Sequence, residues 1–226
     1  MDIAIHGCCG KMGQMLSKTI GKQGNHNIVF GVDRDIDNNM PYPVYQNFNA
    51  ACPDVDVVID FSHHTAIQDL LRWCLIHNKP VVISTTGLDL EEHRIIQEAA
   101  KQIPIFLSPN MSVGVNILCK VLPAIADALG SEFDAGIVES HHKKKKDSPS
   151  GTAYLLSDSL GGKCQNVSAL RIGSIPGEHT VIFAGPDEVI KITHTAYSRK
   201  IFALGAIKAA SFIAEKGPGL YCMNDM

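Results

Sequence analysis

Residues 139 to 153, reading ESHHKKKKDSPSGTA, place two imidazoles, four ammonium groups and a Ser-Gly-Thr helix start within one short stretch. A helix beginning near Ser150 presents unpaired backbone N–H groups and the positive end of its dipole. Ser150 or Thr152 adds a hydroxyl donor, so a carboxylate fits there. Imidazole titrates nearest neutrality, and a neighbouring lysine can donate a proton or hold a charge. The combination suits proton transfer to a small, multiply anionic substrate. A competing reading is a solvated lysine loop. Adjacent residues on a strand point to opposite faces, so one of His141 and His142 at most faces a given ligand.

A second chemical signal lies at the N-terminus, where the apolar run from Ile3 to His6 meets GCCGKMG, from Gly7 to Gly13. Met12, Met15, Leu16, Thr19 and Ile20 then form one apolar stripe on a helix, and Gly7, Gly10, Lys11, Met12 and Gly13 are cofactor candidates. Strand, glycine turn and helix together form a dinucleotide-phosphate cradle. The glycines here are Gly7, Gly10 and Gly13, spaced GxxGxxG instead of GxGxxG, so the turn alone is a weak signal. Asn27 to Val32 is an apolar strand ending at Asp33, where a carboxylate reaches a ribose 2′-hydroxyl. Arg34 follows and can meet a 2′-phosphate. The pair suggests tolerance of either NADH or NADPH.

The elements that must position these residues repeat as strand and helix. Strands are expected at 55–60, 80–84 and 103–109, with helices at 65–77 and 88–102. Residues 35–53 connect them through a proline-punctuated loop with a small extra element. Buried strands alternating with helices predict an α/β fold, a Rossmann-type doubly wound parallel sheet that binds ligands beyond its strand ends. At those ends stand Asp60-Phe61-Ser62, Thr85-Thr86-Gly87 and Ser108 to Ser112, which makes Phe61, Thr85, Thr86, Gly87, Ser108, Asn110 and Met111 cofactor candidates.

From Ser112 the pattern changes to a long apolar helix kinked at Pro123, a strand from Phe133, a helix from Ser150 to Leu160, and strands near 179–185 and 188–198. The last strands are too close for helical crossovers, which predicts a smaller α+β domain with a mixed or antiparallel sheet. A final helix spans 199–216 and ends at Gly217-Pro218. The expected domains are 1–111 with 199–226, for the dinucleotide, and 112–198, for substrate and oligomerisation.

The chain has 226 residues, 45% hydrophobic and 19% charged, with a net charge of -3. That balance is globular and gives no electrostatic case for nucleic acid or an anionic membrane. No apolar run approaching the roughly 20 residues that span a bilayer is expected, and no signal-like segment opens the chain. A soluble cytoplasmic protein is expected. Seven cysteines without CxxC spacing read as free, reduced thiols. The adjacent pairs His63-His64 and His141-His142 lack the spacing of helical metal ligands, so no metal is expected.

Taken together, GCCGKMG, VIDFS, STTG, SPNMSVGVN, the 139–153 stretch, GEHTVIFAG and ITHTAYSR resemble the dihydrodipicolinate reductase family of the diaminopimelate route to lysine. The HHxxKxDxPSGTA pattern is the specific part, and the resemblance covers nearly the whole chain. It implies a two-domain NAD(P)H-dependent reductase of a cyclic dicarboxylate, assembled as a homotetramer. His141 matches the general-acid position and Lys145 its partner, with His142, Ser150, Gly151 and Thr152 on the substrate carboxylates. Asp33 and Arg34 match adenosine-ribose positions. Gly7, Met12, Phe61, Thr86, Gly87 and Asn110 match nucleotide-binding or hinge segments, and Arg199 a position near the substrate domain. Two departures stand out. The chain is short for the family, with the trimming expected between Gly161 and His179, and Cys8 and Cys9 add bulk expected beside the pyrophosphate. Other readings are a dehydrogenase of the same architecture acting on an amino or sugar acid, and a dinucleotide sensor without catalysis.

Overall fold

The computed structural model describes residues 1–37 and 39–226. It divides into two compact units, Met1–Met111 with Phe202–Met226, and Ser112–Ile201. In chain order the elements are β1 (Asp2–His6), α1 (Lys11–Gln23), β2 (Asn27–Val32), β3 (Val44–Tyr45), β4 (Val57–Asp60), α2 (Ile67–His77), β5 (Val81–Ile83), α3 (Leu90–Ala100) and β6 (Pro104–Leu107). There follow α4 (Val113–Leu129), β7 (Asp134–His141), α5 (Gly151–Ser159), β8 (Cys164–Arg171), β9 (Glu178–Ala184), β10 (Val189–Thr195), α6 (Lys200–Ile213) and β11 (Gly219–Tyr221).

The first unit is built on a seven-stranded sheet of order β11-β6-β5-β4-β1-β2-β3, with every neighbouring pair parallel. The order reverses at β1 and β4, the position where such sheets open a ligand crevice. Every residue of β4 is buried, as expected of a strand covered on both faces. Leu16, Thr19 and Ile20 are the buried stripe of α1, which stops at Gly24 with φ 67°. A capping box between Asp89 and Glu92 starts α3. Phe30, Trp73 and Ile105 anchor the core.

The second unit carries a four-stranded sheet of order β10-β9-β7-β8. β7 pairs antiparallel with β9 and parallel with β8, α5 being the crossover. Leu122, Leu156, Ile137 and Phe183 form its core, and α4 continues through Pro123.

Three features differ from the sequence reading. β8 lies where no strand was expected, because its mostly exposed residues show no apolar alternation. β11 adds a short edge strand just after the Gly217-Pro218 stop. The stretch Val113–Glu132, 20 residues of mean hydropathy 1.5, is long and apolar enough by length and composition to cross a membrane. Scattered Lys120 and Asp127 hid that average from a search for unbroken apolar runs. Val115, Leu122 and Ala126 commit one face of this helix to the unit's core.

Candidate active site

Alternation along β7 turns Ala135, Ile137, Glu139 and His141 to its buried face. Glu139, with 0% exposure, is the centre of a polar network. Arg171 donates Nη1–H to Oε2 at 2.8 Å and Nη2–H to Oε1 at 2.7 Å. The Ser150 backbone N–H donates to Oε1 at 2.9 Å, and the His141 Nδ1–H donates to Oε2. Strand register explains the convergence, since Glu139 is opposite His179 on β9 and His141 is opposite Arg171 on β8. The rings of His141 and His179 meet edge to face, with centroids 5.1 Å apart.

The charges follow from this packing. Burial pushes Glu139 up, but the hydrogen bonds from Arg171, His141 and Ser150 outweigh it and hold the carboxyl below the usual range. Burial lowers His141, and the charges of Lys145 and Arg171 lower it further against the opposing pull of Glu139. His179 is lowered by burial, then by His141, to about 4. In the resting site His141 is therefore neutral at pH 7, with its proton on Nδ1 and the Nε2 lone pair unprotonated. Nε2 faces Gly177, where an added Cβ would stand 3.0 Å away.

Glu139, His141 and His179 bring three metal-ligating atoms within 4.8 Å of one another. Sequence spacing concealed this cluster because its members sit on two strands. The carboxylate already accepts four protein donors, so it serves as a hydrogen-bond hub and not as an open ligand.

The N-terminus of α5 departs from the sequence reading. Ser150, only 1% exposed, accepts the Ala153 N–H on its hydroxyl at 3.2 Å and contacts His179 Nε2 at 3.0 Å. Its amide is held by Glu139. The Ser150 hydroxyl and amide are thus committed inside the protein, as an N-cap and a network donor. Gly151 donates its N–H to Asp147, whose carboxyl is lowered, against burial, by Lys145 and that amide. Lys145 pairs with Asp147 at 2.8 Å. Beyond its chain neighbours and its own helix backbone, no protein atom lies within 4 Å of a Cβ placed on Gly151, so packing does not require the glycine. Thr152 is the second residue of α5. His142 is half-buried, with Nδ1 enclosed and unpaired, whereas Lys143, Lys144 and Lys146 are exposed. Arg199 is exposed just before α6.

In the first unit, Gly7 has φ 76°, and a Cβ there would stand 2.7 Å from the Phe61 carbonyl oxygen. A Cβ on Gly13 would be 2.2 Å from the Gly7 oxygen. These two glycines are sterically required. Gly10 caps α1 without any side-chain hydrogen bond, which leaves that helix end, beside Lys11 and Met12, suited to a phosphate. Asp33 Oδ2 accepts the Cys9 N–H at 2.9 Å, and Arg34 is almost fully exposed beside Asp35. Cys8 does not crowd the outer turn as expected. It is fully buried in the space left by Gly31, where a Cβ would be 2.5 Å from its Sγ.

Asp60, which sequence reading placed at a strand end without a role, joins three strands. It is fully buried, accepts Thr85 Oγ1–H at 2.6 Å and Ser62 N–H at 3.1 Å, and lies 2.8 Å from His6 Nδ1 but off its hydrogen-bonding direction. Three cofactor candidates are consequently internal. The Thr85 hydroxyl belongs to Asp60, Ser108 donates to the Asn110 carbonyl at 2.9 Å, and Met111 is buried at 1% exposure, its carbonyl against Gly205. Asn110 is buried, whereas Thr86 and Gly87 are exposed and Phe61 is half-buried. A glycine cradle, an uncapped helix end and a carboxylate after β2 fit a dinucleotide.

Family models described as dihydrodipicolinate reductase, N-terminus, and dihydrodipicolinate reductase, C-terminus, match residues 1–111 and 114–226. A 4-hydroxy-tetrahydrodipicolinate reductase of Caldanaerobacter subterraneus subsp. tengcongensis is 43% identical over 247 aligned residues, covering 99% of this chain and 97% of the relative. One from Clostridium novyi is 40% identical over 244, covering 99% and 97%. Both alignments exceed the chain's 226 residues, so the relatives carry residues with no counterpart here. The fold is that of a dipicolinate-bound dihydrodipicolinate reductase from Paenisporosarcina sp. TG-14, with TM-score 0.83 at 22% identity, covering 100% of this chain and 99% of that one. With both halves matched and two relatives alike along their length, this chain belongs to the dihydrodipicolinate reductase family.

Proposed function

We propose that this protein reduces 4-hydroxy-tetrahydrodipicolinate, or the dihydrodipicolinate derived from it, with His141 as proton donor and Lys145 in support. It is an NAD(P)H-dependent oxidoreductase of diaminopimelate and lysine biosynthesis, acting on a small cyclic dicarboxylate. The observation that carries the reading is the match of both family models along the chain.

The dinucleotide is NADH or NADPH, held by the Gly7–Gly13 turn, the N-terminus of α1 and Asp33, with Arg34 placed for a 2′-phosphate. When bound, the reduced nicotinamide supplies the hydride to ring C4. Lys145 and the Gly151 backbone attract the substrate carboxylates, in exchange for their contacts with Asp147, and Thr152 and His142 complete the grip. Two carboxylates near His141 offset the cationic influence of Lys145 and Arg171, and Glu139 stabilises the imidazolium across Nδ1. Substrate binding thereby loads a proton onto Nε2, which His141 then donates to the enamine carbon.

The open face of the second sheet, with Val138 42%, Leu170 49% and Val189 55% exposed, is the surface through which a homotetramer forms. Seven free cysteines suit a reducing cytoplasm. Steady-state oxidation of NADH and NADPH with the cyclic substrate, and with unrelated amino and sugar acids, tests the reading. Turnover restricted to the cyclic substrate supports it. Turnover only with another acid points to a different dehydrogenase, and none with any to a dinucleotide sensor.

A further inference from the structure

We infer that Cys8, Cys9 and Asp33 form a binding site for one soft divalent cation, of the zinc or cadmium class, inside the glycine turn. Their ligand atoms lie within 4.8 Å of one another. The two Sγ atoms are 3.7 Å apart, and a tetrahedral ion with bonds of about 2.3 Å to sulfur sets its ligands about 3.8 Å apart. Both thiols therefore already span one edge of the required tetrahedron. Asp33 is held to the same turn by the Cys9 N–H on Oδ2 at 2.9 Å, and its carboxylate keeps further lone pairs.

Access and chemistry agree. Cys8 is buried, but Cys9 and Asp33 are half-exposed, so an ion enters past them and retains a water as fourth ligand. Burial, then the hydrogen bond and charge of Cys9 and the charge of Asp33, push the Cys8 thiol well up. Binding converts M²⁺, two thiols and a carboxylate into a dithiolate–carboxylate complex of charge −1 and releases two protons. Thiolates favour zinc or cadmium over magnesium or calcium. Resting on the assignment of Asp33 and the glycine turn to the dinucleotide, the occupied site excludes cofactor and makes the protein sensitive to thiophilic metals.

The test titrates the protein, reduced with a phosphine, with Cd²⁺ and follows the ultraviolet thiolate-to-cadmium charge-transfer band. One equivalent is expected to bind. Cys9→Ser and Cys8→Ala each weaken binding by about 100-fold, Asp33→Asn weakens it less, and Cys164→Ser leaves it unchanged. Because Cys9 is half-exposed, Cys9→Ser is the variant expected to fold normally. Binding unaffected by Cys9→Ser, or abolished by Cys164→Ser, overturns the site. NADH binding, followed by its fluorescence, separates the two assignments. If NADH binds and Cd²⁺ does not, the metal site falls and the cofactor reading stands. If Cd²⁺ binds through both cysteines and NADH does not displace it, the metal site stands and Asp33 loses its ribose role.

Discussion

At the scale of single residues, Glu139 decides what His141 can do. It accepts Nδ1–H, so Nε2 is the nitrogen left for a ligand, and it shares its charge with Arg171. In Glu139→Gln the imidazolium loses its counter-charge, and the basic limb of the kcat profile should move to lower pH. A purely structural role would lower stability without moving that limb. Gly177→Ala should lower kcat strongly while leaving NADH affinity unchanged, because the new Cβ stands 3.0 Å from Nε2. Dipicolinate supplies two carboxylates without turnover. Calorimetry of its binding at pH 7–8, in buffers of different ionisation enthalpy, should register uptake of close to one proton. No uptake would mean that His141 stays neutral in the complex. His141 and Lys145 were named from residue types and family resemblance. Glu139, Arg171 and His179 were not, because their importance comes from strand register, which a single sequence does not display. A glutamate in register with Ala135 and Ile137, the apolar positions of β7, was the one available signal.

At the scale of elements, β7, β9 and α5 are tied by the contact of Ser150 with His179. His179 titrates at about 4 in the fold and near 6.5 when unfolded. Between those values the unfolded chain binds more protons, so stability falls as pH drops through that window. The loss from pH 7 to pH 5 should be about 2 kcal/mol, read as a lower denaturant midpoint, and His179→Gln should flatten the slope. Most elements were legible from periodicity, since β1, α1, β4 and α2 carry clear apolar patterns. β8 escaped because its residues are largely exposed. The α5 N-terminus looked like an open anion site from Ser-Gly-Thr, yet Ser150 is consumed as its cap. The open glycine there is Gly151.

At the scale of the whole molecule, the parallel sheet supplies a dinucleotide crevice and the mixed sheet a buried polar network centred on Glu139. The division into two kinds of sheet was visible in the spacing of strands, because only the first set leaves room for helices between them. Assembly was implied by resemblance alone; Val138, Leu170 and Val189 are exposed apolar side chains of the second sheet. Light scattering should find a tetramer, and Val138→Lys should shift it toward smaller species. The most direct test of the account is the turnover of His141→Ala with the cyclic substrate, measured beside its affinity for dipicolinate. A fall in kcat of roughly 10²–10⁴-fold with dipicolinate still bound is the predicted result, and near-normal turnover would contradict the account.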